Sequence, residues 1–107
     1  MSDVFEQTAR WLPGFVPKVV VDAGAFRGNF TRRCREKWDA TVLAFEPSPR
    51  NYAKLKWIAD DKTFLYPAAL SAATGRLSVY EHPSEPSMDR LGPYRDDLPW
   101  ADSMPLD

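Results

Sequence analysis

The sequence has no long apolar run. Its longest, Val19 to Val21 and Val42 to Phe45, fall far short of the roughly 18 residues a membrane helix needs. Charge of one sign is missing too, since the formal net charge is −1. That gives no general pull toward nucleic acid or acidic membrane surfaces, so neither is expected as a partner. The opening MSDVFEQTAR carries acids where a signal peptide or presequence would carry basic residues, and the expectation is an unexported, cytoplasmic protein. Cysteine and histidine occur once each. Cys34 has no partner for an internal disulfide, in keeping with a reducing compartment. Its i±4 spacing from Phe30 and Trp38 marks it as a small core residue on a helix face. His82 precedes Pro83 and reads as a solvated strand-end residue, so no convincing general base is identified.

Hydrophobic residues at 44% and charged residues at 27% are ordinary for a globular domain. A chain of 107 residues makes one domain at most, burying somewhat over ~60% of its unfolded surface. Three parts are expected: a lead-in over 1–17, an α/β domain over 18–82 and a tail over 83–107. Asp3 to Leu12 predicts an amphipathic helix with Val4, Phe5, Ala9 and Leu12 on its inner side, stopped by Pro13-Gly14. Lys18 to Asp22 and Thr41 to Glu46 are short apolar runs without polar alternation, the pattern of strands covered on both faces. Asn29 to Trp38 between them reads as a helix. Ser48-Pro49 opens another, with the serine hydroxyl placed to accept a free backbone N–H and proline in the first turn; Tyr52, Leu55, Ile58 and Ala59 give its inner face.

Thr63 to Pro67 reads as a third strand. Thr74-Gly75 opens a last one, Arg76 to Glu81, whose period-two alternation suits an edge or antiparallel strand with one wet face. From Pro83 onward five of the ten prolines are interleaved with Asp and Ser. No period survives there, and a loosely ordered tail is expected.

Strands alternating with helices imply parallel pairing, and such sheets bind ligands at the carboxyl ends of their strands. Asp22, Gly24, Gly28 and Glu46 all fall at that edge. Gly24 and Gly28 would let backbone approach a ligand, and the next helix would aim its free N–H groups at it. Glu46 can accept hydrogen bonds from both hydroxyls of a ribose. A dinucleotide turn wants G-x-G-x-x-G, but Phe26 stands where the second close glycine would be. Asp22 would also set a carboxylate beside a pyrophosphate, a repulsion that is serious in a partly dry cleft. S-adenosylmethionine, with an ammonium, a sulfonium and no phosphate, suits these charges better.

VVDAGAFRGNF, LAFEPSPRNYAKL and PAALSAATGRLSVY together resemble the amino-terminal half of FkbM-type methyltransferases over roughly Val19 to Tyr80. The resemblance implies a partial Rossmann-like class I methyltransferase fold: three parallel strands with helices, then a terminal hairpin strand. It implies S-adenosylmethionine as cofactor and methyl transfer, usually to oxygen, on a small-molecule acceptor. It assigns Asp22, Gly24, Ala25 and Gly28 to the methionine side of the cofactor, Glu46 to the ribose, Pro47 to the turn beside the adenine, and Ala68 and Ala69 to the neighbourhood of the base. Arg27 either grips the cofactor carboxylate or is an exposed loop residue.

The family continues past the hairpin with further strands and the loops that hold the acceptor, so the resemblance covers a cofactor-binding half. In its topology the strands lie in the order third, second, first. The free edge of Val19 to Val21 then invites self-association or a complementing chain. A different reading is a non-catalytic nucleotide-binding or interaction module, with Arg32, Arg33, Arg35 and Trp57 as its contact residues.

Overall fold

The computed structural model of the protein describes residues 3–106. Asp3 caps the first helix, its Oδ1 accepting the Glu6 backbone N–H at 2.9 Å, and α1 runs Val4–Trp11. Only Phe5 of this helix is buried, its ring lying 5.6 Å from Phe30 and 4.6 Å from Trp38. Val4, Ala9 and Leu12, expected on the same inner side, are exposed, so Phe5 alone anchors the helix in the core.

β1 (Val19–Ala23), α2 (Asn29–Trp38), β2 (Thr41–Phe45), α3 (Pro49–Leu55) and β3 (Thr63–Tyr66) follow in alternation, with a 3-10 turn at Lys56–Ile58. The sheet order is β1-β2-β3 and both pairings are parallel. Cys34, Val42, Ala44 and Leu55 form the buried core, with Val20, Phe30, Trp38, Ile58 and Leu65 packed on it. Fully burying an aliphatic side chain of this size contributes ~1.5–3 kcal/mol. Cys34 is the core residue its spacing suggests, and burial pushes its thiol up to about 11.

The other face of this sheet is open. Val21, Leu43 and Phe64 are in register across it, and Val19, Val21 and Phe64 are 59%, 38% and 47% exposed. β1 was expected to be covered on both faces; the helices cover one. Parallel sheets are ordinarily buried on both sides.

Gly28 ends the turn before α2 with φ +86°. A Cβ there would also meet Leu55 Cδ1 at 2.8 Å, so glycine serves both the left-handed backbone and the close approach of α3.

A second sheet contains β4 (Ala68–Leu70), β5 (Gly75–Tyr80), β6 (Arg90–Gly92) and β7 (Trp100–Met104) in the order β4-β7-β5-β6. Two expectations change here. β4 and β5 do not pair as a hairpin, because β7 lies between them, parallel to the first and antiparallel to the second. The tail beyond Pro83 is ordered into β6, β7 and a 3-10 turn at Pro86–Met88. β7 does have a period of two, Ala101 and Ser103 inward, Trp100 and Asp102 outward. Its inward residues are too small and polar to stand out as a hydrophobic pattern.

Candidate functional site at the carboxyl edge of the parallel sheet

The turn from Gly24 to Gly28 is folded back on the end of β2 by its own backbone. The N–H groups of Gly24 and Ala25 both donate to the Phe45 carbonyl, at 2.8 and 3.0 Å, and that of Gly28 to the Ala25 carbonyl at 2.9 Å. The Phe26 N–H donates to Glu46 Oε1 at 2.7 Å. Phe26 and Gly24 both have positive φ, +54° and +82°. For Phe26 that conformation is costly, and the Glu46 bond helps to hold it.

Glu46 is buried at 6% exposure. Its Oε2 accepts the Ser48 N–H at 2.9 Å. Burial pushes its carboxyl above the usual range, against the pull of these two backbone bonds, and the Asp89 and Asp22 charges add to the rise. Each oxygen spends one acceptor site on the backbone and keeps another for a ligand. Asp22 is also buried, its Oδ2 accepting Thr31 Oγ1–H at 2.6 Å. Burial raises its carboxyl, with the Thr31 bond opposing.

A cleft of about 520 Å³ opens beside Glu46. Gly24, Phe26, Glu46, Pro47, Ser48 and Asn51 make one wall, and Pro86, Ser87, Asp89, Arg90 and Leu91 of the tail contribute the other. A cavity of about 250 Å³ adjoins it, lined by Ala23, Phe45, Ala68, Ala69 and Leu70. Gly24, Pro47 and Leu91 line both. Of the residues singled out in the sequence, Gly24, Glu46, Pro47, Ala68 and Ala69 are thus brought to one continuous hollow. Asp22, Ala25 and Gly28 line neither cavity. Asp22 sits beneath the turn against α2, Ala25 belongs to the core cluster, and Gly28 faces Leu55 and Ile58.

The tail's part in this site has no signal in the sequence. Asp89 Oδ2 accepts Ser48 Oγ–H at 2.8 Å and Arg50 Nε–H at 3.0 Å. Its Oδ1 accepts the His82 N–H at 2.8 Å and a second bond from Arg50 Nη2. The Arg50 guanidinium is the main reason the Asp89 carboxyl falls to about 2. Ser48 makes no side-chain cap of α3, contrary to expectation; its hydroxyl is oriented to donate to the Asp89 carboxylate. His82 Nδ1 accepts the N–H groups of Ser84 and Glu85 at 3.2 and 3.0 Å and shapes the turn after β5.

On α2, two of the three arginines considered as contact residues are tied down. Arg33 pairs with Asp3 at 2.6 Å, and Arg35 with Asp39 and Asp60 at 2.8 and 2.9 Å. The Arg32 guanidinium lies 5.5 Å from the ring centroid of Trp57.

Among the described residues, no helix is long and apolar enough to cross a membrane. Comparison with protein-family models, with curated proteins and with solved structures gives no match to this chain. The fold and hollow define a mixed α/β protein with a three-stranded parallel sheet and a cleft at its carboxyl edge.

Proposed function

We propose that this chain is the cofactor-binding half of an S-adenosylmethionine-dependent methyltransferase of FkbM type, built on a partial Rossmann-like fold and directed at an oxygen of a small-molecule acceptor. The observation that carries this reading is the use of the turn's backbone. Four of its N–H groups, those of Gly24, Ala25, Phe26 and Gly28, are committed to protein acceptors. A pyrophosphate needs such groups free. A cofactor without phosphate does not, and the carboxylates of Asp22 and Glu46 favour one that carries positive charge.

Glu46 fits a ribose. It is held rigidly by two backbone bonds, and each oxygen retains an acceptor site for one hydroxyl of a vicinal diol. Gly24 and Pro47 would border the sugar, with the small Ala68 and Ala69 leaving room for a flat base in the adjoining cavity. Asp22, Ala25 and Gly28 would act from behind the turn, fixing its shape and charge on the methionine side. The cofactor would supply an electrophilic methyl group. This chain's contribution is to bind and orient it, since placement of the nucleophile in line governs much of the rate.

Titration calorimetry with S-adenosylhomocysteine and with NAD tests the reading. Binding of the former that weakens at least ~10-fold in Glu46→Ala is expected. Tighter binding of NAD, or no response to S-adenosylmethionine and its demethylated product, would overturn it. The interaction-module reading draws no comparable support, because Arg33 and Arg35 are engaged within the chain.

A further inference from the structure

The part of the tail that lies over the cleft is held through one cluster of side chains. Residues 81–89 lie between β5 and β6 and outside their pairing, which begins at Tyr80 and Arg90. Pro83, Ser84, Glu85, Ser87 and Met88 are exposed, so this segment has little apolar burial to hold it. Its anchors all converge on the first turn of α3. Asp89 takes bonds from Ser48 Oγ, from Arg50 Nε and Nη2, and from the His82 N–H. Arg50 Nη2 also donates to the His82 carbonyl at 2.8 Å, and Asn51 Nδ2 to the Pro86 carbonyl at 2.9 Å.

We propose that residues 81–89 form a strap across the cleft beside Glu46, pinned by Asp89 to Arg50 and Ser48, and that this pin sets how fast the cleft exchanges its occupant. The Asp89 side chain is only 4% exposed, and Arg50 approaches it with two nitrogens, the arrangement in which charge-assisted bonds are strongest. Removing that one charge leaves Arg50 with Glu81, 3.2 Å away, and the His82 carbonyl, both on the strap itself. α3 then keeps hold of the segment only through Arg50 and Asn51.

Asn51 belongs to the same set of anchors and also approaches Asp89, its Nδ2 lying 3.5 Å from Oδ2. It lines the cleft and is 2% exposed. With Nδ2 committed to Pro86, its Oδ1 is buried without a hydrogen-bond partner among the described residues. A buried acceptor without a partner is a state native proteins rarely tolerate. Identification of the occupant as S-adenosylmethionine rests on the function proposed above; the strap and its pin do not.

The test uses a reporter thiol, Pro47→Cys, at the junction of the two cavities, in a Cys34→Ala background. Its rate of alkylation by iodoacetamide reads access to the cleft whatever the natural ligand is. Adding Asp89→Asn is expected to speed alkylation about tenfold, and Arg50→Lys, which loses the two-pronged contact, by less. Backbone exchange should rise at His82 and Asp89 while the β2 amides stay protected. An unchanged alkylation rate overturns the proposal. So does an acceleration shared by the β2 amides, since the pin would then hold the whole fold and not a strap. In the otherwise unsubstituted protein, release of S-adenosylhomocysteine should quicken with Asp89→Asn. If that ligand fails to bind while alkylation still accelerates, the methyltransferase reading falls and the strap stands.

Discussion

The Glu46 carboxylate accepts the backbone N–H of Phe26 at 2.7 Å across 20 residues of sequence. One oxygen thereby locks the turn after β1 to the end of β2, while the other takes the Ser48 N–H. The group proposed to bind a ligand is also the group that shapes the turn beside the cleft. Its substitution should therefore register twice.

Glu46→Ala is expected to weaken S-adenosylhomocysteine binding and to cost ~1–3 kcal/mol of stability, because the half-buried Phe26 N–H and the buried Ser48 N–H lose their acceptor. Glu46→Gln keeps an acceptor for one of them and should recover part of the stability. Urea unfolding beside calorimetry separates the two effects. Equal stability of wild type and Glu46→Ala would show that the turn holds its shape without this bond.

Gly28→Ala should destabilise without any ligand present. The left-handed backbone costs a residue with a Cβ ~1–2 kcal/mol, and the contact with Leu55 adds a packing strain of ~1–3 kcal/mol. A thermal or urea midpoint unchanged from wild type would mean that α3 can shift at no cost.

Acid should undo the Asp89 pin in a defined window. Its folded carboxyl lies at about 2 against an ordinary 3.8, so the stabilisation is complete above pH ~4 and is lost as pH falls toward ~2. With the side chain 4% exposed, its size is on the order of 2 kcal/mol. The stability difference between wild type and Asp89→Asn is expected to be flat above pH ~4 and to vanish across that window. A difference that persists at pH ~2 would place the effect in shape and not in charge.

The open sheet face and the free edge of β1 should make the isolated chain associate. Val21→Lys and Phe64→Ser lie on that face, where their side chains are half exposed, and each should change stability by no more than ~0.5 kcal/mol. Both should raise the concentration up to which light scattering reports a monomer. Identical scattering curves for wild type and the double variant, with the Val19–Val21 amides protected on both sides of the strand, would show that this surface is not what drives association.

Local rules account for much that is legible in the sequence. α2 spans Asn29–Trp38 as its apolar spacing requires, Pro49 starts α3, and the three β-branched and apolar runs form parallel strands. The acidic residues closing β1 and β2 reach the carboxyl edge because strand direction fixes where each strand ends. Gly24 and Glu46 were legible for the same reason, each lying next to a strand terminus, whereas Pro47, Ala68 and Ala69 were assigned only by the family resemblance.

What only the tertiary structure decided lies at long sequence separation. β7 inserts between β4 and β5 on the strength of backbone pairing, which leaves little trace in side chains as small as Ala101 and Ser103. Ser48 looks from its neighbours like a helix cap; a carboxylate 41 residues away claims its hydroxyl. Gly28 looks like room for a ligand, and Leu55 and Ile58 occupy that room. Hydrophobic period and turn chemistry act within about one helical turn or one strand, so sequence alone carries them. The Asp89 pin and the far wall of the cleft depend on which distant groups meet once the chain has closed on itself, and that depends on the packing of the whole.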